Sequence, residues 1–127
     1  MSDCEIVDPR FREMVLPNAP LDPASKRCIR VFDVGDNGKL LKNGRDFHKV
    51  SPGDADGIRC DEEGNVWSSA DNGVHCIAPD GALLGKIHVP CTVSNLCFGD
   101  RHYSRLFLCA SQTLYAIWIN RHGAQRP

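Results

Sequence analysis

The chain has 127 residues, 42% of them hydrophobic and 24% charged, with 15 basic against 16 acidic side chains for a net charge of -1. That length suits one domain with a real core, and the composition is that of an ordinary soluble protein. Lys and Arg are scattered singly or in pairs such as Lys26-Arg27, so charge gives no case for nucleic acid or for an anionic membrane surface.

Residues 1–27 form the first segment. Pro9, Pro17, Pro20 and Pro23 each deny the backbone a donor and disfavour helix at the preceding residue. Phe11, Met14, Val15 and Leu16 are apolar anchors, so an extended N-terminal arm with at most one helical turn is expected. Its opening, MSDCEIVDPRFRE, is polar and acidic and lacks the apolar core of an export signal. No apolar run approaches the roughly 20 residues of a membrane-spanning helix. A cytoplasmic location is therefore expected.

Residues 28–127 read differently. Short apolar runs alternate with acidic and glycine turns: CIRVFDV (28–34) precedes Asp36-Asn37-Gly38, and GIRCD (57–61) precedes Glu62-Glu63-Gly64. NVWSS (65–69) precedes Asp71-Asn72-Gly73, and GVHCIA (73–78) precedes Pro79-Asp80-Gly81. ALLGKIHV (82–89), SNLCFG (94–99), RLFLCA (105–110) and TLYAIWI (113–119) complete the series. Such spacing of turn signals between β-branched and aromatic runs predicts an all-β sandwich, barrel or propeller. Asn-Gly and Asp-Gly supply the positive φ of tight hairpins, placing turns at Gly38, Gly64, Asn72-Gly73 and Gly81. No stretch holds a helical period. Gly57-Ile58-Arg59-Cys60 followed by Gly64 is echoed by Gly73-Val74-His75-Cys76 followed by Gly81. Each unit is half of a four-stranded blade, and at about 40–45 residues per blade the body holds roughly two to two and a half.

The seven cysteines (4, 28, 60, 76, 91, 97, 109) are odd in number and lack CxxC spacing. They read as small, mostly buried hydrophobes with a free thiol. A zinc site from Cys60, Cys76, His75 and His88 is conceivable, but its ligands would come from scattered strand positions rather than paired knuckles.

The segments IRVFDVGDNGKL, DADGIRCDEEGNVW, NGVHCIAPDGALLGKI, TVSNLCFGD and RLFLCASQTLYAIWIN, in that order, closely resemble the late blades of the gluconolactonase family. That group includes regucalcin (senescence marker protein) and luciferin-regenerating enzyme, and DPRFREMVLPNAPL resembles the leader of its bacterial members. The resemblance implies a six-bladed β-propeller with a divalent cation, calcium first and zinc or manganese as alternatives, in its central channel. It implies a sugar lactone as substrate, hydrolysed with the cation as Lewis acid. The family's protein ligands are a Glu in an early Glu-Gly-Pro motif, an Asn in a middle Asn-Gly motif and an Asp in a later Pro-Asp-Gly-type motif. Here Ala55-Asp56-Gly57 matches the third, which makes Asp56 the implied metal-binding and catalytic position, while the first two motifs are missing. Six blades would need about 240 residues. After Leu21 the chain passes through DPASKRC directly into the late-blade run, so the resemblance implies an internally truncated member, a partial six-bladed propeller.

Read on residues alone, Asp54 and Asp56 fail as an EF-hand because Gly57 follows at once, and turn formation at a strand entry is the simpler role. Asn95 either lines the channel mouth as a substrate-binding side chain or caps a loop. His75 and His88 are expected on the solvent side, and Asp61, Glu62 and Glu63 on a solvated turn. Trp67 and Trp118 are expected between sheets. Nothing resembles a phosphate loop, a GxSxG elbow or an HExxH helix. Two functions stay open: a metal-dependent sugar-lactone hydrolase weakened by loss of most of its site, or a non-enzymatic propeller remnant that acts in binding or self-association.

Overall fold

A computed structural model describes residues 28–125 and shows an all-β chain of three antiparallel sheets, a partial β-propeller. The expected N-terminal arm, 1–27, lies outside the described residues. The first sheet is the hairpin β1 (Cys28–Gly35) and β2 (Leu40–Lys49), joined by a short 3-10 turn at Asp36–Gly38. The second is a complete four-stranded meander of β3 (Ile58–Cys60), β4 (Val66–Ala70), β5 (Gly73–Ile77) and β6 (Leu83–His88). The third contains β7 (Val93–Gly99), β8 (Arg105–Ala110) and β9 (Thr113–Trp118). Every neighbour in a sheet is also the neighbour in sequence, which is what short Gly-containing connections permit.

The turns fall where the glycines predict: Gly38, Gly64, Gly73 and Gly81 all have positive φ. At Gly81 the requirement is double. Its φ is +90°, and a Cβ there would lie 2.5 Å from the Phe47 carbonyl oxygen, so only glycine lets the β5–β6 turn close against β2.

The core forms between the second and third sheets from Trp67, Val74, Val89, Val93, Leu96, Leu106, Leu108 and Ala110. The Trp67 and Phe98 rings meet edge to face at 6.0 Å and 89°, an arrangement worth about 0.5–1.5 kcal/mol beyond the area it buries. The first sheet covers the opposite face of the second: His48 on β2 meets His75 on β5, and its Nδ1 lies 3.2 Å from the Gly81 carbonyl. The middle sheet is thus covered on both sides, and Trp67, Ser68, Ser69 and Ala70 are all buried along β4.

That stacking corrects several expectations. His75 is not on the solvent side but 1% exposed, because a strand covered on both faces has no wet side; His88, near the sheet's outer margin, is exposed. Asp61 is likewise buried rather than solvated. Its carboxylate accepts from the Glu63 and Asn65 main-chain N–H groups, the Asn65 side-chain amide and the Trp67 indole. Burial alone would raise the pKa of this carboxyl, but the hydrogen bonds from Trp67, Asn65 and Glu63 outweigh it and hold the pKa below its ordinary value. Trp118 does not lie between sheets. It is 62% exposed on β9, with the Arg105 guanidinium 5.1 Å from its ring centroid. Nor are the described cysteines mostly buried: Cys60, Cys97 and Cys109 are exposed, Cys28, Cys76 and Cys91 half-buried, and all six are free thiols. On β7 and β8, Leu96, Leu106, Leu108 and Ala110 take the core side, and the alternation of side chains turns Cys97 and Cys109 outward.

Candidate functional site

The segment 54–57 leads into β3, and a buried serine one strand away holds it. Ser69 on β4 is 0% exposed, and its Oγ accepts from the Asp56 N–H at 3.1 Å and the Gly57 N–H at 2.9 Å. The Ser69 N–H in turn donates to the Gly57 carbonyl at 2.9 Å. The Asp56 main chain is therefore held while its side chain stays exposed. Ser69 was not singled out from the sequence. Its one signal was a Ser-Ser pair inside NVWSSA, where β-branched residues would be usual for a buried strand.

Gly57 is where the third sheet reaches the second. A Cβ at Gly57 would fall 2.4 Å from Asn95 Oδ1 and 2.8 Å from Asn95 Cα. The absence of a side chain thus lets the start of β7 lie against the start of β3. This approach seats Asn95 against Gly57, and Asp56, the residue before Gly57, is exposed, as is Asn95. Asn95 Oδ1 also accepts from the Leu96 N–H at 2.8 Å, so the local capping role considered for it is present too.

A divalent cation such as calcium takes six to eight oxygen ligands. Asp56 offers one carboxylate, and the Asn95 carbonyl oxygen is already engaged. Among the described residues no group of three or more His, Cys, Asp or Glu side chains converges as a metal ligand set. The donors present do not by themselves make a calcium site. The scattered zinc set fares no better: His75 and Cys76 are adjacent on β5 and point to opposite faces of the sheet.

Two other places carry titratable groups. His75 Nε2 lies 3.1 Å from Asn72 Oδ1, and its Nδ1 is buried with no hydrogen-bond partner. Burial, helped by the positive charges of Lys86, His48 and His88, pushes the His75 pKa down. The Cys76 thiol is pushed up, by burial first and then by Asp61, which argues against a nucleophilic thiolate there. At the far end of the strands from Asp56, Glu62, Arg101, His102, Tyr103 and His122 line an open cavity of about 480 Å³. There His122 Nδ1 sits 2.7 Å from the His102 carbonyl oxygen.

A family model described as the SMP-30/gluconolactonase/LRE-like region matches residues 23–112. The chain belongs to the SMP-30/gluconolactonase/LRE-like family. Among relatives of that family, a gluconolactonase of Zymomonas mobilis is 35% identical over 104 residues, 75% of this chain and 29% of that protein. The solved structure of a gluconolactonase of Xanthomonas campestris superposes with a TM-score of 0.63 at 37% identity, over 68% of this chain and 28% of that one. A calcium-binding regucalcin of Agrobacterium tumefaciens shares the fold at a TM-score of 0.70 with 18% identity, over 81% of this chain and 42% of that one. The chain spans only 23% and 29% of the length of the curated relatives it matches. Within this family its three sheets hold four, three and two strands, in accord with the two to two and a half blades read from the turn spacing. No helix among the described residues is long and apolar enough to cross a membrane.

Proposed function

We propose that this chain carries one part of a sugar-lactone hydrolase site, centred on Asp56, and that by itself it hydrolyses lactones weakly or not at all. The observation that carries the reading is the approach of Asn95 to Gly57, the residue that follows the exposed Asp56. Family membership and similarity to proteins named gluconolactonase support a sugar lactone as the substrate class. In this reading Asp56 is the chain's contribution to a divalent-cation site, calcium before zinc or manganese, and Asn95 borders the position of the lactone. A bound cation would act as Lewis acid on the lactone carbonyl. What the described residues supply is a held main chain and one carboxylate, too little to orient both a water and a carbonyl. Loss of several cooperating groups leaves only residual, binding-derived acceleration.

The second reading, a non-catalytic binding module, draws on the same incomplete donor set. A pH-indicator lactonase assay on glucono-δ-lactone, with calcium, zinc or manganese, separates the two when wild type and Asp56→Ala are run side by side. Weak turnover that needs a cation and disappears in Asp56→Ala supports a partial hydrolase site. Background rates in both agree with a chain that does not hydrolyse lactones by itself and give Asp56 no catalytic part, which favours the binding module. Robust turnover abolished by the substitution would show that the site is complete and overturn the proposal of a weak one.

A further inference from the structure

Among the described residues, β9 is the last strand of the third sheet. β9 pairs with β8 on one side, and among the described residues no strand lies on its other side. The β8–β9 turn holds two residues, Ser111 and Gln112, so Ala110 and Thr113 close the hairpin as a hydrogen-bonded pair. Bonding to β8 then recurs at every second residue, through Tyr115 and Ile117. The same parity appears one step on, where the Ile119 N–H donates to the Ser104 carbonyl at 2.9 Å. Leu114, Ala116 and Trp118 therefore direct their N–H and C=O groups away from the sheet.

Edge strands are ordinarily blunted by charge, proline, irregularity or a covering segment. The other sheet edges among the described residues follow that rule. β1 carries Arg30 and Asp33, β2 carries Lys42, Arg45, Asp46 and Lys49, and β6 carries Lys86. β7 has a register irregularity between Val93 and Asn95. The free edge of β3 is covered by the turn at 122–124, where the Glu62 N–H donates to the His122 carbonyl and the Ala124 N–H to the Cys60 carbonyl. β9, TLYAIW, has no charge, no proline and an unbroken register. Its outward row is apolar, with Leu114 65% and Trp118 62% exposed and Ala116 exposed between them.

We propose that β9 is a self-pairing strand that joins two copies of this chain antiparallel, merging two three-stranded sheets into one. The strand specifies its own register. A two-fold axis through the sheet at Ala116 sets Ala116 opposite the partner's Ala116 and Leu114 opposite the partner's Trp118. Every outward main-chain group then meets another, and the two most exposed large apolar side chains of the strand, Leu114 and Trp118, face each other across the joint twice. An axis at Tyr115 or Ile117 would make that residue a non-hydrogen-bonded pair and bond only two of the three outward residues to each other, leaving Trp118 or Leu114 to face the partner beyond the strand. An axis at Leu114 or Trp118 would leave most of the strand unpaired. The inference does not depend on lactone chemistry.

The test is sedimentation equilibrium of the full chain over a wide concentration range, with Ala116→Lys and Ala116→Pro, and hydrogen exchange of the Leu114, Ala116 and Trp118 amides. Proline at this position removes only an outward-pointing donor, and Ala116→Lys, at an exposed site, keeps every bond to β8 should the proline variant not fold. The expected result is a dimer that dissociates on dilution, with its dissociation constant raised about tenfold or more by either substitution. The three amides are protected in the dimer and exchange in the variants, while the β-sheet spectrum is unchanged. A monomer whose three amides exchange freely at all concentrations would overturn the proposal. So would a monomer with those amides protected, which means another segment of the same chain covers the edge, or a dimer indifferent to both substitutions, which uses another surface.

Discussion

Gly57→Ala tests the contact on which the candidate site depends. The new Cβ would stand 2.8 Å from Asn95 Cα and 2.4 Å from Asn95 Oδ1. The amide oxygen can swing away by giving up its bond to the Leu96 N–H, but the Cα belongs to β7 and moves only if the strand moves. Gly57 itself is buried, and its N–H and C=O are both bonded to Ser69, so the β3 entry cannot yield freely either. Overpacking of this kind costs about 1–3 kcal/mol. For a domain of this size each 1 kcal/mol lowers Tm by roughly 4–8 °C. Gly85→Ala is the control, because nothing lies within 4 Å of its added Cβ. Relief of unfolded-chain entropy makes that substitution neutral or stabilising by up to about 1 kcal/mol. Urea unfolding followed by Trp67 fluorescence, in a Trp118→Phe background, measures both. If Gly57→Ala unfolds within about 0.5 kcal/mol of Gly85→Ala, β7 is not seated on β3 as described, and the approach of Asn95 to the Asp56-Gly57 segment falls with it.

Asp61→Ala strands four donors around a buried position and should destabilise by about 2–4 kcal/mol, readable in the same unfolding experiment; a loss typical of surface sites would contradict its burial. The wild-type Asp61 pKa is lowered in the fold, so its contribution is fully present above the unfolded value of 3.8 and is lost as pH falls through the lower folded value. An Asp61→Asn variant should therefore lose less stability than wild type below that pH. His75 is also depressed in the fold, from 6.5, so the unfolded chain binds the extra proton first and stability falls as pH drops below about 6.5. Melting temperatures of wild type and His75→Gln across that range should diverge, with the variant the flatter; parallel curves would refute the buried neutral imidazole.

The backbone plan was legible in the chain because it rests on neighbouring residues. Asp36-Asn37-Gly38, Asn72-Gly73 and Asp80-Gly81 carry the positive φ that reverses the strand, whatever the rest of the molecule does. The motif around Asp56 was legible for a similar reason: family likeness is written in short contiguous segments. Exposure was not. His75, Asp61, Trp118 and the cysteines were misjudged because alternation along a strand says that two faces differ and not what lies against each. β5 looked like a half-wet strand until the first sheet was laid over it, and Trp118, expected between sheets, proved exposed on β9. The closeness of Gly57 to Asn95 is a decision of the same kind. Gly57 shows in the sequence as one more glycine, and only the stacking of the third sheet on the second turns its missing Cβ into the space that Asn95 occupies. Local conformational preferences are set by each residue and its neighbours, whereas burial and proximity are set by which surfaces meet, and that is a property of the assembled sheets.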